Sequence, residues 1–98
     1  MAVALHVGNN LPVGMVGVTP GFMSSNADSI RITIFGKGGH GSAPHTTIDP
    51  IVLGAKIVLT LQTIASREVK PREAAVVTVG YFQAGTKNNI IPDQAQLG

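Results

Sequence analysis

Hydrophobic and polar side chains alternate most regularly between residues 29 and 35. Ile30, Ile32 and Ile34 fall on one side of an extended chain, and the residues between them are polar. This two-residue period is typical of a β-strand with one buried face. We therefore predict a half-buried strand over residues 29–35.

A helical pattern begins after Asp49. This residue precedes Pro50, and the pair is typical of a helix start, because Asp caps free backbone N–H groups and Pro fits the first helical position. From residue 51 to about residue 66, apolar side chains recur every three or four positions. Polar positions are few, so we expect both faces of this helix to be covered, one by a sheet and one by a neighbour.

Other segments fit shorter strands. Apolar runs at residues 2–7 and 12–19 predict two of them, and a β-branched and aromatic run predicts another at residues 75–82. Residues 94–98 fit the start of one more strand, and residues 36–45 form a glycine-rich loop. From the alternating strand onward the order is strand, helix, strand, strand, which we interpret as an incomplete α+β layer.

The composition indicates that another protein surface covers part of this chain. With 98 residues it can form one small domain at most. Charged residues make up 12% of the chain, against about 25% in an ordinary soluble domain, and the mean hydropathy is +0.29. So little solvating surface favours a fragment of a larger protein or an oligomer.

Charge and cysteine usage exclude several classes of function. The net charge of +2 arises from scattered Lys and Arg residues, so we expect no nucleic-acid partner. Residues 1–27 are uncharged, but Gly, Asn and Pro interrupt them well short of the about 20 apolar residues that a membrane helix needs, so we expect no membrane partner. The absence of Cys excludes disulfides and thiolate metal sites within the chain and suits a cytoplasmic location.

Three histidines are candidates for chemistry, because imidazole ordinarily changes its charge near neutral pH. His40 lies between two glycines, where it can reach into a cleft or remain an ordinary solvated side chain. His45 and Asp49 follow it at a spacing that weakly suggests a metal site, although His45 also fits a structural role in which it bonds loop carbonyls. His6, at the end of an apolar run, fits a buried core histidine.

An amide side chain is the fourth candidate. Asn89 offers a donor and an acceptor from one group, which suits holding the carboxylate or amide of a substrate. It also fits an ordinary Asx turn ahead of Pro92. The residues alone leave both readings open.

Several motifs, taken in order, resemble one known family. They span nearly the whole chain and are Ala4-Leu5-His6-Val7, Leu11-Pro12-Val13-Gly14, Gly36-Lys37-Gly38-Gly39-His40-Gly41-Ser42-Ala43-Pro44-His45, Asp49-Pro50-Ile51, Leu61-Gln62-Thr63-Ile64 with Ser66-Arg67, and Asn89-Ile90-Ile91-Pro92-Asp93. Together they resemble the middle of the aminoacylase, hippurate hydrolase and auxin-conjugate amidohydrolase group of metallopeptidases.

The resemblance implies an α+β fold. We expect an incomplete ferredoxin-like lid, with strand-helix-strand-strand order and an antiparallel sheet, preceded by a short β segment from a catalytic domain. Residues 1–23 are then a remnant of the catalytic subdomain with its linker, and residues 24–98 a partial dimerisation domain. Family members pair through the lid helix and an edge strand, so we expect a homodimer or pairing with a full-length relative.

The resemblance also implies roles for site residues. His6 matches a metal ligand, His40 matches a lid histidine that stabilises the oxyanion in the other subunit's active site, and Asn89 matches a substrate-binding residue. His45 matches a recurrent position with a structural role. The family uses two divalent metal ions, such as zinc or manganese, and one imidazole cannot hold them, so we expect this chain to bind none stably.

The expected parent reaction is hydrolysis of the amide bond of N-acyl or N-aroyl amino acids by metal-activated water. We expect the chain itself to be inactive and to supply dimerisation and His40 in trans. The alternative is a non-catalytic interaction module or an inactive truncated product.

Overall fold

The computed structural model describes residues 3–98. Within them, two short strands precede one α-helix and three short strands follow it. They are β1 (Ile32–Phe35), β2 (Gly39–His40), α1 (Pro50–Thr63), β3 (Phe82–Ala84), β4 (Ile90–Ile91) and β5 (Gln94–Leu97). A 3-10 turn at Pro44–Thr46 precedes α1, and a π-helical turn at Ile64–Glu68 follows it. The mixture confirms the predicted α+β class.

Three strands form the main sheet in the order β1-β5-β3. The central strand β5 runs antiparallel to both neighbours, so Ala95 lies opposite Ile34 on one side and Ala84 on the other. The outer strands therefore run parallel to each other, and α1 lies in the connection between them. This is the order of the first three strands of a ferredoxin-like domain, which confirms the predicted lid-like arrangement.

The core lies between α1 and the sheet. Its buried hydrophobic residues among those described are Ile34, Ala95 and Leu97, and Ile57 and Val58 of the helix pack against them. All three buried residues come from β1 and β5, so the prediction that Ile32 and Ile34 share a covered side is confirmed for the part that is strand. The core is small for a chain of this length.

Gly54 allows the helix to lie close to the sheet. An ideal Cβ at this position would lie 2.5 Å from Cζ of Phe82 and 3.2 Å from Cδ1 of Ile34. Glycine in a helix interior costs about 1 kcal/mol relative to alanine. Close packing of two sheet side chains on the bare backbone offsets that cost.

The helix begins where the sequence predicts. Oδ1 of Asp49 accepts from the backbone N–H groups of Ile51 and Val52 at 2.8 and 3.3 Å, which confirms the N-cap. Regular α-helix ends at Thr63, slightly before the predicted end, because the next turn widens into the π-helical turn. No helix within residues 3–98 is long and apolar enough to cross a bilayer.

The face of α1 turned away from the sheet is apolar and exposed. Leu59 is 71% exposed and Val52 is 53% exposed. The sequence predicts that a sheet covers one helix face and a neighbour covers the other. Residues 3–98 supply only the first cover, so the second face is left open to a partner.

The strands predicted in the N-terminal part are wrong for the residues that the structure describes. Residues 3–31 contain neither helix nor strand. Val13 is fully exposed and Val3 is largely exposed. Met1 and Ala2 lie outside the described residues, so the first residue of the predicted strand at 2–7 is not assessed. The physical reason is that a strand needs a neighbour to bond its backbone, and no described segment pairs with this one.

Two further strand boundaries differ from the prediction. The strand predicted at residues 75–82 is displaced to Phe82–Ala84, because the register with β5 places Phe82 opposite Leu97. Similarly, β1 begins at Ile32 rather than at residue 29, because Ile32 pairs with Leu97, the last residue of β5. The predicted strand at residues 94–98 is confirmed as Gln94–Leu97.

The described part of the chain is extended, because its N-terminal segment does not pack against the rest. Its radius of gyration is 20.2 Å, whereas a compact domain of this length has about 13 Å. Its accessible surface is 8737 Å², against roughly 5,300 Å² for a compact monomer of the same mass. The excess surface agrees with the low charge content, from which we expect another protein surface to cover part of the chain.

Candidate functional site

A two-stranded ribbon beside the main sheet brings the candidate site residues together. It pairs β2 with β4 antiparallel, so Gly39 lies opposite Ile91 and His40 opposite Ile90. Just past the ribbon, the N–H of Gly41 donates to the carbonyl oxygen of Asn89 at 2.8 Å. His40 and Asn89, which are far apart in sequence, therefore lie at the same end of one ribbon.

His40 is exposed and held by its own loop. The N–H of Ala43 donates to the carbonyl of His40 at 2.9 Å, which closes a tight turn over residues 40–43. Within that turn, Nδ1 of His40 lies 2.8 Å from Oγ of Ser42 and 3.2 Å from the backbone nitrogen of Ser42. The ring is ordered by local hydrogen bonds rather than by burial.

Asn89 offers its side chain outward. Its backbone carbonyl is used by Gly41, its side chain is exposed, and its amide makes no hydrogen bond within residues 3–98. An Asx turn, the alternative considered for this residue, would require such a bond. The amide is thus free to donate to and accept from a bound molecule.

Asp93 fastens the glycine-rich loop to the ribbon, and sequence reasoning gave it no role. Its Oδ1 accepts from the N–H of Gly38 at 2.8 Å, across 55 positions in sequence. Its backbone carbonyl accepts from the N–H of Gly36 at 2.7 Å. The only signal in the sequence is that Asp93 ends the motif containing Asn89, which does not indicate a partner so distant.

The glycines of this loop serve close packing. An ideal Cβ at Gly38 would lie 2.6 Å from the carbonyl oxygen of Ile91, and one at Gly41 would lie 3.1 Å from that of Asn89. Side chains at these positions would push the two strands of the ribbon apart. The loop reads as flexible in sequence, yet in the structure its backbone is bonded at several points.

His45 does not have the hydrogen bonds considered for it. The loop carbonyls of Ala43 and Pro44 accept instead from the hydroxyls of Thr46 and Thr47 at 2.9 and 2.8 Å. His45 lies exposed in the 3-10 turn. Its predicted bonding to loop carbonyls is therefore wrong, because the neighbouring threonines occupy them.

His6 lies in the exposed N-terminal segment, so the reading of a buried core histidine is wrong. Its Nδ1 lies 2.7 Å from the carbonyl oxygen of Val7. A carbonyl can only accept, so Nδ1 carries the proton and the lone pair of Nε2 is free, the form in which histidine commonly binds a metal. Within residues 3–98, however, no three His, Cys, Asp or Glu side chains come together to complete a metal site. The donor chemistry of His6 fits a single ligand, and the further ligands are not in the described chain.

Comparison with protein families identifies the family to which this chain belongs. A family model described as "Peptidase dimerisation domain" matches residues 22–98. The chain belongs to the peptidase dimerisation domain family. The match covers β1 to β5, including His40, Asn89 and Asp93.

Relatives of this dimerisation domain include named amide hydrolases. The chain is 42% identical to an N-acetyldiaminopimelate deacetylase of Brevibacillus brevis over 96% of its own length and 25% of the relative's. It is 41% identical to an N-acyl-L-amino acid amidohydrolase of Geobacillus stearothermophilus over 99% of its length and 26% of the relative's. Thermostable carboxypeptidase 2 of Saccharolobus solfataricus is 38% identical over 95% of the chain. The chain thus spans about a quarter of the length of the curated relatives it matches.

A solved structure shows the same fold. The crystal structure of a protein from methicillin-resistant Staphylococcus aureus superposes with a TM-score of 0.66 and 43% sequence identity. The superposition covers 68% of this chain and 17% of the solved chain. The resemblance inferred from the motifs is confirmed at the level of the family.

Proposed function

We propose that this chain is part of an N-acyl amino acid amidohydrolase and serves both to pair subunits and to complete an active site. The reaction is hydrolysis of the amide bond that joins an acyl or aroyl group to an amino acid. The observation that carries the proposal is the ribbon, which joins an exposed His40 to an exposed Asn89 through the bond from Gly41. Two hydrogen-bonding side chains held together on an exposed surface suit a substrate that is bound mainly by another protein surface.

His40 acts in the active site of the partner subunit. Its ring is held by Ser42 while remaining exposed, so it can project beyond its own subunit. There it donates a hydrogen bond to the carbonyl oxygen of the scissile amide as negative charge develops on it, and Asn89 holds the carboxylate end of the substrate. The open face of α1, with an edge strand of the sheet, forms the pairing surface.

The metal chemistry of the reaction lies largely outside this chain. Two divalent ions, when bound, supply a water of lowered pKa as nucleophile. His6 supplies one ligand, with its Nδ1–H directed to the carbonyl of Val7. Residues 1–23 are accordingly a remnant of the catalytic subdomain and residues 24–98 the partial lid. The chain alone is inactive, because a catalytic site needs about three protein ligands per metal.

A second candidate is a non-catalytic dimerisation module. The observation that favours it is the exposed apolar face of α1, in a chain of which residues 22–98 match a dimerisation domain. Such a module would pair with itself or with a full-length relative. It would need no chemistry from His40 or Asn89.

Intersubunit complementation distinguishes the two candidates. The chain replaces the matching quarter of the Geobacillus stearothermophilus amidohydrolase, and the chimera is assayed for release of the free amino acid from N-acyl amino acids. His40→Ala and His6→Ala chimeras should each lose turnover. Mixed by refolding, they should regain about a quarter of the activity, because random pairing makes half of the dimers hybrid and each hybrid holds one complete site.

The controls follow from the same design. If His40 acted in its own subunit, hybrids would contain no complete site and mixing would restore nothing. A fully active His40→Ala chimera would leave only the pairing role. His45→Ala serves as the matched histidine control and should keep activity, since its ring is exposed and the loop carbonyls beside it are bonded by threonines.

A further inference from the structure

The ring of His40 is fixed in one tautomer by the turn that carries it. A backbone amide nitrogen can only donate, so the 3.2 Å contact from the N–H of Ser42 makes Nδ1 of His40 an acceptor. In a neutral imidazole one nitrogen carries the proton and the other does not. The proton of neutral His40 is therefore on Nε2, and the hydroxyl of Ser42, 2.8 Å from Nδ1, donates to the same lone pair.

We propose that Ser42 is a positioning residue that holds neutral His40 with its proton on Nε2, so that the ring presents a hydrogen-bond donor to a substrate carbonyl oxygen. This inference rests on the proposed function of His40 and names the residue that prepares it. Both Ser42 donors reach the ring because residues 40–43 form a closed turn, in which Ala43 bonds back to His40 at 2.9 Å. The loop beyond is anchored where Gly41 bonds Asn89.

The tautomer decides what the ring can do. With the proton on Nε2, His40 donates to the carbonyl oxygen, and the bond strengthens as that oxygen gains negative charge. With the proton on Nδ1, the ring would present a lone pair to the same oxygen and repel it. No proton is transferred in this role, since His40 acts only as a donor.

His6 has the opposite arrangement in the same chain. Its Nδ1 faces the carbonyl oxygen of Val7, so its proton is on Nδ1 and Nε2 presents a lone pair. One histidine is thus prepared as a hydrogen-bond donor and the other as an electron-pair donor. This contrast gives the experiment an internal reference.

Nitrogen NMR of the imidazole rings tests the inference on the 98-residue chain itself. Long-range proton–nitrogen correlation spectra of uniformly labelled protein are recorded at about pH 9, where histidine side chains are generally neutral. His40 should show Nδ1 as the unprotonated nitrogen and Nε2 as the protonated one, more completely than the exposed His45, which reports the free tautomer equilibrium. His6 should show the reverse assignment.

Two Ser42 variants make the test specific. Ser42→Ala removes the hydroxyl at 2.8 Å but keeps the backbone N–H at 3.2 Å, so it should shift the His40 nitrogens part of the way towards those of His45. Ser42→Thr keeps both donors and should leave the His40 nitrogens as in the parent chain. Unchanged amide resonances of Gly41 and Ile90 verify that each variant retains the ribbon. A protonated Nδ1 on His40, or ring resonances that ignore Ser42→Ala, would overturn the proposal. Because the spectra report the ring alone, this outcome is independent of whether His40 acts in trans.

Discussion

The backbone N–H of Gly41 donates to the carbonyl oxygen of Asn89 at 2.8 Å. This bond ties the turn that carries His40 to the turn that precedes β4. Neither side chain of the proposed site is buried, so their relative position depends on the backbone between them. Residues of the ribbon that bear no chemistry of their own therefore matter to the site as much as the histidine does.

Gly41→Ala should separate His40 from Asn89. A Cβ there would lie 3.1 Å from the carbonyl oxygen of Asn89, so the ribbon must open by a few tenths of an ångström. We expect the backbone N–H of residue 41 to exchange with solvent faster in the variant than in the parent chain, as measured by hydrogen exchange NMR. Gly80→Ala is the control, since its Cβ would meet the carbonyl oxygen of Gly98 at an ordinary 3.8 Å. If the N–H of residue 41 exchanged at the same rate in Gly41→Ala and in Gly80→Ala, the role of close packing at Gly41 would be contradicted.

Asp93→Ala should loosen the glycine-rich loop. The variant removes the acceptor for the N–H of Gly38, a bond worth about 1 kcal/mol in net terms. Exchange of the Gly38 amide should rise about fivefold. Asp93→Asn retains an oxygen acceptor and should keep most of the protection. If Asn behaved like Ala, the charge of Asp93 rather than its acceptor oxygen would be what holds the loop.

Gly54→Ala should destabilise the domain although alanine is the better helix former. Its Cβ would lie 2.5 Å from Cζ of Phe82, so the helix and the sheet must move apart. We expect the free energy of unfolding to fall by about 1–3 kcal/mol in urea titrations. Phe82→Leu in the same chain should recover part of the loss, and a double-mutant cycle measures that coupling. A cycle with no coupling would place the cost elsewhere than in this contact.

Leu59→Glu should weaken pairing between subunits without unfolding them. Leu59 is 71% exposed on the open face of α1, so a charge there costs little in the monomer but is unfavourable in an apolar pairing surface. Sedimentation velocity over a range of concentrations should show the dimer of the parent chain and a monomer for the variant. Ala74→Glu, in the exposed loop after the π-helical turn, adds the same single negative charge away from α1 and should still pair. A variant that pairs as tightly as its parent would remove α1 from the dimer surface.

Local signals account for the parts of the fold that sequence predicted correctly. Asp49 and Pro50 determine a helix start through contacts within four residues of each other, and the alternation around Ile34 marks a strand whatever its partner is. The strands predicted at 2–7 and 12–19 failed because strand formation depends on a neighbour that composition cannot reveal. The displacement of the 75–82 strand has the same cause, since its register is set by β5.

The candidate site was predictable in part. The motifs indicate His40 and Asn89 as separate residues, but their position at one end of a ribbon results from pairing between β2 and β4. Asp93 escaped notice because its partner, Gly38, lies 55 positions away. The bonding of Ser42 to the His40 ring is local, yet it depends on a turn geometry that a glycine-rich sequence leaves undefined.

The uncovered, uncharged segment at the start of the chain has a practical consequence for handling the protein. Its side chains offer no electrostatic repulsion between molecules, and Val13 and Phe22 are fully exposed to solvent. At high concentration, molecules that have already paired will also adhere through these exposed segments, in an open-ended fashion. Preparations of the intact chain should therefore turn cloudy as they are concentrated, while a version lacking the segment should stay clear and reveal the closed pair.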